Sequence, residues 1–270
     1  MAEVPPIEFS RLAMSKKHRF ATEEVETFST VDLIAELKRR YQILSRPEGS
    51  CVIIGPPSAG SSTQAAFLRK DWGFCSISRE DFLPANTDLT RGLARLSEEL
   101  ASFRCRRGFA VAHFPETATE AAAFDEMLNT KHPDWKDYKV VLLSLPSEND
   151  DKRTESSACL LGRAKGHLVH QASGRIYNSS VPELSPQTAN TDDVTGESLT
   201  SPKWELSDFT DRLNKWWSIN EPSVRKYYRS RISNVDAEQG IHSVSHDISK
   251  VFLAEEKEAN SNTKNDTSSV

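Results

Sequence analysis

A glycine-bounded loop at residues 55–64 constrains the fold of this chain more than any other segment. The loop reads Gly-Pro-Pro-Ser-Ala-Gly-Ser-Ser-Thr-Gln, follows an apolar run at residues 51–54 and precedes a helical pattern that extends to Lys70. A buried strand, a glycine-containing turn and a helix in this order are typical of phosphate-binding loops. In such loops, backbone N–H groups and the positive end of the helix hold the phosphate oxygens.

The loop lacks the lysine that usually accompanies this pattern. Its position is occupied by Ser61, which can donate a hydrogen bond but carries no charge. The sequence therefore predicts a nucleotide site with a missing cation. The candidate nucleotide-binding residues are Gly55, Pro57, Ser58, Ala59, Gly60, Ser61, Ser62 and Thr63.

Apolar runs alternate with helical periodicity along the chain. Strands are predicted at residues 51–54, 75–77, 108–113, 139–145 and 232–237. Helices are predicted at residues 60–70, 87–103, 117–128, 205–219 and 244–253. Strands separated by helices pair in parallel through right-handed crossovers, so the predicted fold class is α/β, a parallel sheet flanked by helices.

The regions outside this alternation have other compositions. Residues 1–28 form a polar N-terminal arm, and residues 29–48 contain a docking helix with Ile34, Leu37, Tyr41 and Leu44 on one face. Polar residues 147–203 indicate an inserted flap or long loop, and residues 254–270 a disordered tail.

Charge and composition argue against several classes of partner. The 270 residues carry a formal charge of −5, which disfavours diffuse electrostatic binding to nucleic acid or anionic membranes. No apolar run approaches the ~20 residues that span a bilayer, and we expect no signal or transit peptide. The four cysteines lack metal-type spacing and predict buried thiols in an intracellular, by default cytoplasmic, protein.

Further motifs follow the loop in a fixed order. They are Ser78-x-x-Asp81, Cys105-x-x-Gly108-Phe109, Phe114-Pro115-x-Thr117, Ser173-Gly174-Arg175-x-Tyr177, Asp192-Asp193-Val194-Thr195-Gly196-Glu197, Arg212-Leu213 and Tyr227-Tyr228. With these motifs, residues 49–253 resemble an adenylate kinase, a nucleoside monophosphate kinase that moves a phosphoryl group from ATP to AMP. The resemblance implies a P-loop fold of the nucleoside monophosphate kinase type, with a lid insertion at about residues 160–203.

The chain departs from the family pattern at charged positions near AMP. Pro84 aligns with an arginine that grips the AMP phosphate, and Glu120 with a glutamine that reads the AMP base. The family's Asp-Gly-Phe-Pro-Arg-Thr reads Ala-His-Phe-Pro-Glu-Thr at residues 112–117. Ala112 therefore replaces an acid of the magnesium-water shell, and Glu116 replaces an AMP-phosphate arginine. Residues 84–104 leave room for about one helix where the family has two, so the AMP-closing segment is expected to be truncated.

The lid shows similar losses. The family's Gly-Arg-Arg aligns with residues 166–168, Gly-His-Leu, although Arg163 keeps the preceding arginine. The arginine at the lid exit aligns near Pro202, with Lys203 beside it.

The matching positions carry the family's site onto this chain. Arg163 is the candidate catalytic residue and, with Asp192 and Asp193, belongs to the lid. Arg79 and Asp81 are what is left of the AMP side. Thr63 is the residue placed to face a magnesium ion, and Mg-ATP, held weakly, is the only cofactor implied.

These losses predict an adenylate-kinase-like protein that is inactive or strongly impaired and acts as a nucleotide-sensing or protein-interaction module. A protein partner would bind through the N-terminal arm or the helix region bearing Trp204, Trp216 and Trp217. These tryptophans are equally interpreted as core residues. One alternative is a divergent kinase that recruits other cations, namely Lys70, Arg79, Arg106, Arg107 or Lys165. Another is a structural subunit of a large assembly. The loop pattern leaves open whether a nucleotide binds weakly or whether its glycines are inherited turn residues with nothing bound.

Overall fold

The computed structural model describes residues 29–145, 150–173, 175–201 and 205–266. The chain divides into two compact units, which are described separately. The sheet unit begins at Leu44, continues to Leu160 and resumes at Leu206. The lid unit contains the chain up to Ile43 and residues 161–205.

A five-stranded parallel sheet forms the centre of the sheet unit. Its strands are β1 (Cys51–Ile54), β2 (Cys75–Ser78), β3 (Phe109–Ala112), β4 (Lys139–Ser144) and β7 (Ile232–Asp236). They lie side by side in the order β2-β3-β1-β4-β7, and every neighbouring pair is parallel. All residues of β1 and β3 are buried, as expected for central strands covered on both faces. The predicted α/β fold with a parallel sheet is confirmed.

Helices connect and cover these strands. They are α2 (Ser61–Trp72), α3 (Arg79–Phe82), α4 (Leu89–Leu100), α5 (Ala118–Lys131), α7 (Leu206–Lys215), α8 (Glu221–Tyr228) and α9 (Ile241–Asp266). A π-helical turn, Trp216–Asn220, joins α7 to α8. Helix α6 (Asp150–Gly166) runs from the sheet unit into the lid unit. Between β2 and β3, α4 is the one long helix among the described residues, and the sequence predicted about one helix at residues 84–104. Truncation relative to the family stays a prediction.

A small antiparallel hairpin forms the core of the lid unit. Strand β5 (His167–His170) pairs with β6 (Arg175–Asn178), and Leu168, Tyr177 and Leu199 are buried together. Residues 150–166, which the sequence assigned to a flap or loop, are helical. Polar composition concealed this helix because its apolar stripe is narrow.

The two chain ends also differ from the sequence-based picture. Helix α1 (Thr30–Leu44) forms where a docking helix is predicted, but it buries none of its residues. Helical periodicity identifies residues that share a face, and it does not identify what covers that face. Helix α9 continues to Asp266, whereas the sequence predicted disorder from Ala254. The N-terminal arm and the last four residues lie outside the described part of the chain.

A disulfide corrects the expectation of buried thiols. Cys75 and Cys105 are bonded, with their Cα atoms 4.8 Å apart. The reason is the sheet: β2 pairs with β3, and the N–H of Cys75 donates to the carbonyl of Gly108, only three residues after Cys105. Cys51 and Cys159 are free thiols, and burial raises the pKa of Cys51.

In the part of the chain that is described, no helix has the length and apolar content needed to cross a membrane.

Gly108 provides a test of the sheet's packing. Its φ is +108°, and a Cβ atom there would lie 1.7 Å from the carbonyl oxygen of Gly49. A left-handed conformation and a backbone overlap together should make Gly108→Ala destabilising by more than about 3 kcal/mol. The measurement is the urea midpoint of unfolding.

Gly162→Ala is the matched control for this prediction. Gly162 lies within α6, and a Cβ atom there would meet nothing within 4 Å. This variant should be neutral or more stable by about 0.5–1 kcal/mol, since alanine favours helix over glycine. Equal urea midpoints for the two variants would show that the backbone of Gly108 does not lie as close to the carbonyl oxygen of Gly49 as described.

Candidate functional site

The register of the parallel strands brings three chain segments to one edge of the sheet. Ala112 on β3 is in register with Ser78 on β2 and with Ile53 on β1. The residues after these strands are Arg79, His113 and the loop that starts at Gly55, so all three segments meet where the strands end. Ligands of open α/β sheets bind at this carboxyl edge.

The loop from Gly55 to Gly60 has the geometry of an anion cradle. A Cβ atom at Gly55 would lie 3.0 Å from Cβ of Leu143, so a side chain there would crowd β4. Ser58 and Gly60 have positive φ, 65° and 104°, and a Cβ at Gly60 would meet nothing within 4 Å. The loop thus curls tightly beneath open space at the start of α2, whose first N–H groups have no acceptor within the helix. Residues 55–63 fit a nucleotide phosphate.

Ser61 contributes no charge and no visible bond to this cradle. It is fully buried, and its Oγ has no hydrogen-bond partner among the described residues. A cation must therefore come from another segment if the loop is to balance several phosphate charges.

His113 is the side chain that approaches the loop from β3. Its Nε2 lies 2.9 Å from Oγ of Ser62 in the first turn of α2. The backbone N–H of His113 donates to the carbonyl of Ile53 at 3.0 Å, which ties this position to β1. Burial lowers the pKa of His113, Glu80 opposes that shift, and Arg212 and Arg79 add to it.

A cavity of about 410 Å³ lies between α3, α4 and the start of α5. It is lined by Arg79, Glu80, Leu83, Pro84, Ala85, Asn86, Thr87, Leu89, Glu116 and Glu120. Three of these side chains are acidic and one is basic. The cavity is therefore suited to a cationic or neutral group rather than to a phosphate.

The one arginine of the cavity is bound by a carboxylate. Nη1 and Nη2 of Arg79 donate to the two carboxylate oxygens of Glu120 at 2.8 and 2.7 Å. Both side chains are largely buried, with 21% and 14% exposed. Two parallel N–H···O bonds make this the strong, geometrically specific form of an arginine–carboxylate pair.

Glu116 adds a further negative group. Burial raises its pKa, Arg79 lowers it, and Glu120 raises it again, for a net increase. Its backbone N–H donates to Oε2 of Glu120 at 2.7 Å, so Glu120 connects Arg79 to the start of α5.

Asp81 has a structural role on the same side. Its carboxylate accepts from the N–H of Ser78 at 2.9 Å and forms the capping box of the four-residue helix α3.

The lid unit has its own buried ion pair. Nε and Nη2 of Arg175 donate to the carboxylate of Asp192 at 2.7 and 2.5 Å, and Asp192 is 1% exposed. The same carboxylate accepts from the N–H groups of Val194 and Thr195 and from the hydroxyl of Tyr177. Asp192 thus organises the turn that contains Gly196, as expected for a structural rather than a metal-binding acid. The described residues contain no group of three or more potential metal ligands.

Comparison with known proteins decides the family. Adenylate kinase from the yeast Vanderwaltozyma polyspora is 31% identical over 224 residues, which cover 74% of this chain and 94% of the relative. The chain belongs to the adenylate kinase family. Adenylate kinase 4 from Arabidopsis thaliana is 28% identical over 256 residues, covering 86% of this chain and 98% of the relative. Adenylate kinase 4 from rice is 27% identical over 256 residues, covering 86% and 99%. No protein-family model matches the chain.

Three of the candidate replacement cations lie away from the loop, namely Lys70, Arg106 and Arg107 in the sheet unit. Nε of Arg107 donates to the carbonyl of Trp72, the last residue of α2, and Arg106 stacks on Phe103 before β3. Lys70 is nine residues beyond Ser61 on α2, or about 13 Å along the helix. Lys165 is exposed in the lid unit. Arg79 does lie at the correct edge, but it is paired with Glu120.

Other predicted features have mixed outcomes. Trp216 and Trp217 are buried, so they are core residues rather than a surface for a partner. Trp204, Pro202, Lys203 and Gly174 lie outside the described residues. Arg163 and Asp193 lie in the lid unit, where Asp193 accepts from the N–H of Gln187 and the carbonyl of Arg163 accepts from Asn178. The catalytic role of Arg163 stays a prediction.

Sequence reasoning overlooked two contributors to the site. The sequence assigns no role to His113, because its contact with Ser62 spans 51 residues. The second is Lys215 on α7, whose positive charge lowers the pKa of Glu116. For His113, the one sequence signal is that the family motif has a glycine at this position.

Asp192 provides a prediction for the lid. Removing one partner of a buried ion pair leaves the other charge uncompensated and typically costs about 3–5 kcal/mol. Asp192→Asn should therefore increase hydrogen exchange at the amides of Val194 and Thr195, measured by NMR. The matched control is Asp193→Asn, because Asp193 is the exposed neighbour and should leave that exchange unchanged.

The pH dependence of this protection has a defined sign. The Arg175 hydrogen bonds hold the pKa of Asp192 far below its usual range. Its stabilisation is therefore complete above the unfolded pKa of about 3.9 and is lost as the pH falls further. Protection that is already lost between pH 7 and pH 5 would contradict this assignment.

Proposed function

We propose that this adenylate kinase family member binds an adenine nucleotide weakly at residues 55–63 and transfers phosphoryl groups to AMP only slowly. The observation that carries the proposal is the ion pair between Arg79 and Glu120, which line the cavity between α3, α4 and α5. A nucleotide-sensing role fits a site of this kind better than rapid metabolic turnover does.

Among the described residues that line the cavity, the one basic side chain, Arg79, is already paired with Glu120 and is not available to the AMP phosphate. Arg79 would have to leave Glu120 before it could bind a phosphate, and hydrogen bonds to charged groups contribute about 1.5–3 kcal/mol each. Losing one such bond weakens phosphate binding by at least about tenfold. The carboxylates of Glu80 and Glu116 in the same cavity add repulsion.

The donor side keeps the part of the site that depends on the backbone. Three features support phosphate binding through backbone N–H groups. They are the close packing of Gly55 against Leu143, the positive φ of Gly60 and the open space at the start of α2. The resemblance implies Mg-ATP as the ligand, with Thr63 facing the magnesium ion. When bound, Mg²⁺ would neutralise charge on the phosphates, and residues 55–63 would hold them in position.

A divergent but active kinase is the second candidate. It is favoured by relatives named adenylate kinase that align over 74–86% of the chain. Two positive charges on α7 also act at the carboxyl edge of the sheet. Arg212 lowers the pKa of His113, and Lys215 lowers the pKa of Glu116.

Turnover with ATP and AMP separates the two candidates. We expect the unmodified protein to bind Mg-ATP but to form ADP more slowly than about 1 s⁻¹, the lower end of typical turnover numbers. Ser61→Lys should raise this rate by roughly 10–100-fold. One transition-state donor is worth about 100–1000-fold, and the other missing charges remain missing.

Ser61→Met is the control because methionine is comparable in length to lysine and carries no charge. It should leave the rate of ADP formation at the level of the unmodified protein. A rate of tens per second for the unmodified protein would establish the divergent kinase instead. Equal rates for Ser61→Lys and Ser61→Met would remove the missing lysine as the cause of slow turnover.

A further inference from the structure

His113 is held against the phosphate-binding loop by its backbone and by its ring. Its φ is 61°, and its N–H is bonded to Ile53 on the strand that leads into the loop. Its Nε2 is 2.9 Å from Oγ of Ser62, in the same helical turn as Ser61. The imidazole therefore lies beside the N-terminal end of α2, where anions bind to helices.

The charged groups around the imidazole come from two helices. Glu80 on α3 favours the protonated ring, while Arg79 on α3 and Arg212 on α7 disfavour it. Burial also disfavours the charge, and the net effect lowers the pKa of His113. Without an anion nearby, the ring is therefore neutral near pH 7.

A bound polyphosphate would reverse this balance. An opposite charge within about 4–6 Å favours the charged form of a titratable group. The phosphates of a nucleotide in the loop would lie at the helix end that His113 adjoins. The ring would then take up a proton from solvent and interact with the phosphate as an imidazolium.

We propose that His113 supplies, through proton uptake on nucleotide binding, the positive charge that the loop lacks at Ser61. The inference rests on the proposed function, since it requires that residues 55–63 bind a nucleotide. It assigns His113 to phosphate binding and makes affinity depend on pH. His113 would thus carry a positive charge only when a nucleotide is bound. It stands at a position where the family motif has a glycine.

The direction of the pH effect follows from linkage. A group whose pKa is higher in the complex than in the free protein makes binding tighter at low pH and weaker as the pH rises. One unit of pKa shift corresponds to a tenfold change in affinity. The full factor is reached only below the pKa of the free ring, so a one-unit shift should make affinity for a nucleotide fall about three- to fivefold between pH 6 and pH 8 because of His113 alone.

The test is calorimetric titration with magnesium-free ADP at pH 6, 7 and 8, each in two buffers that differ in ionisation enthalpy. This design measures both affinity and the protons taken up on binding. The variants are His113→Asn and His113→Gly, residues that tolerate positive φ and so preserve the backbone. Protonation of ADP itself is common to all samples and cancels between them.

His132→Gln is the matched control. His132 also has a pKa lowered by burial, and its Nε2 lies 3.0 Å from Oγ of a serine, Ser97, outside the loop. The unmodified protein and His132→Gln should show the same proton uptake and the same pH dependence. Both His113 variants should take up fewer protons and lose the roughly three- to fivefold difference in affinity between pH 6 and pH 8.

The failures of the two proposals can be told apart. ADP binding with the same proton uptake and pH dependence in His113→Asn, His113→Gly and the unmodified protein would overturn the role of His113 and leave nucleotide binding intact. An unmodified protein that binds no ADP at any of the three pH values would overturn both. Adding Ser61→Lys to His113→Asn should restore affinity without the pH dependence, because lysine supplies a permanent charge.

Discussion

The parallel pairing of β2, β3 and β1 is the constraint on which the site depends. With Ser78, Ala112 and Ile53 in register, the chain segments that follow these strands emerge at one edge of the sheet. Arg79, His113 and the loop at Gly55 come together there although they are distant in sequence. The disulfide joins Cys75, the first residue of β2, to Cys105, which lies shortly before β3. It therefore links the amino ends of the two strands, away from the site, and helps to fix their pairing.

Charge distribution separates the two halves of this site. In the function proposed above, the donor half depends on the backbone geometry of residues 55–63, which does not require a lysine side chain. The acceptor half depends on side-chain charge, and there Glu120 binds Arg79 while Glu116 stands where the family motif has an arginine. The fold can therefore persist while the balance between nucleotide binding and phosphoryl transfer changes.

Sequence reasoning recovered the elements whose signal is local. Apolar runs identified the strands, and the turn chemistry of residues 55–60 identified the loop. The helical stretch at residues 150–166 was missed because its polar composition resembles a loop, and the buried state of Trp216 and Trp217 depends on packing that periodicity cannot reveal.

The missed contacts share a physical cause. Arg79 and Glu120 are 41 residues apart, Ser62 and His113 are 51 apart, and Cys75 and Cys105 are 30 apart. Each pair is created by strand register, which no spacing in the sequence shows. The family motif flagged Glu116 and Glu120 as departures, but it could not show that Glu120 binds the one arginine beside them.

Under the proposed function, Glu120 keeps Arg79 from binding a phosphate. The most direct test is equilibrium dialysis with labelled AMP on the unmodified protein and on Glu120→Gln, which places the family's glutamine at this position. Glu99→Gln is the control, since Glu99 forms an exposed ion pair with Arg104. We expect AMP affinity at least about tenfold higher in Glu120→Gln, because one charged hydrogen bond is no longer lost on binding. Equal AMP affinity in the unmodified protein and Glu120→Gln would contradict it.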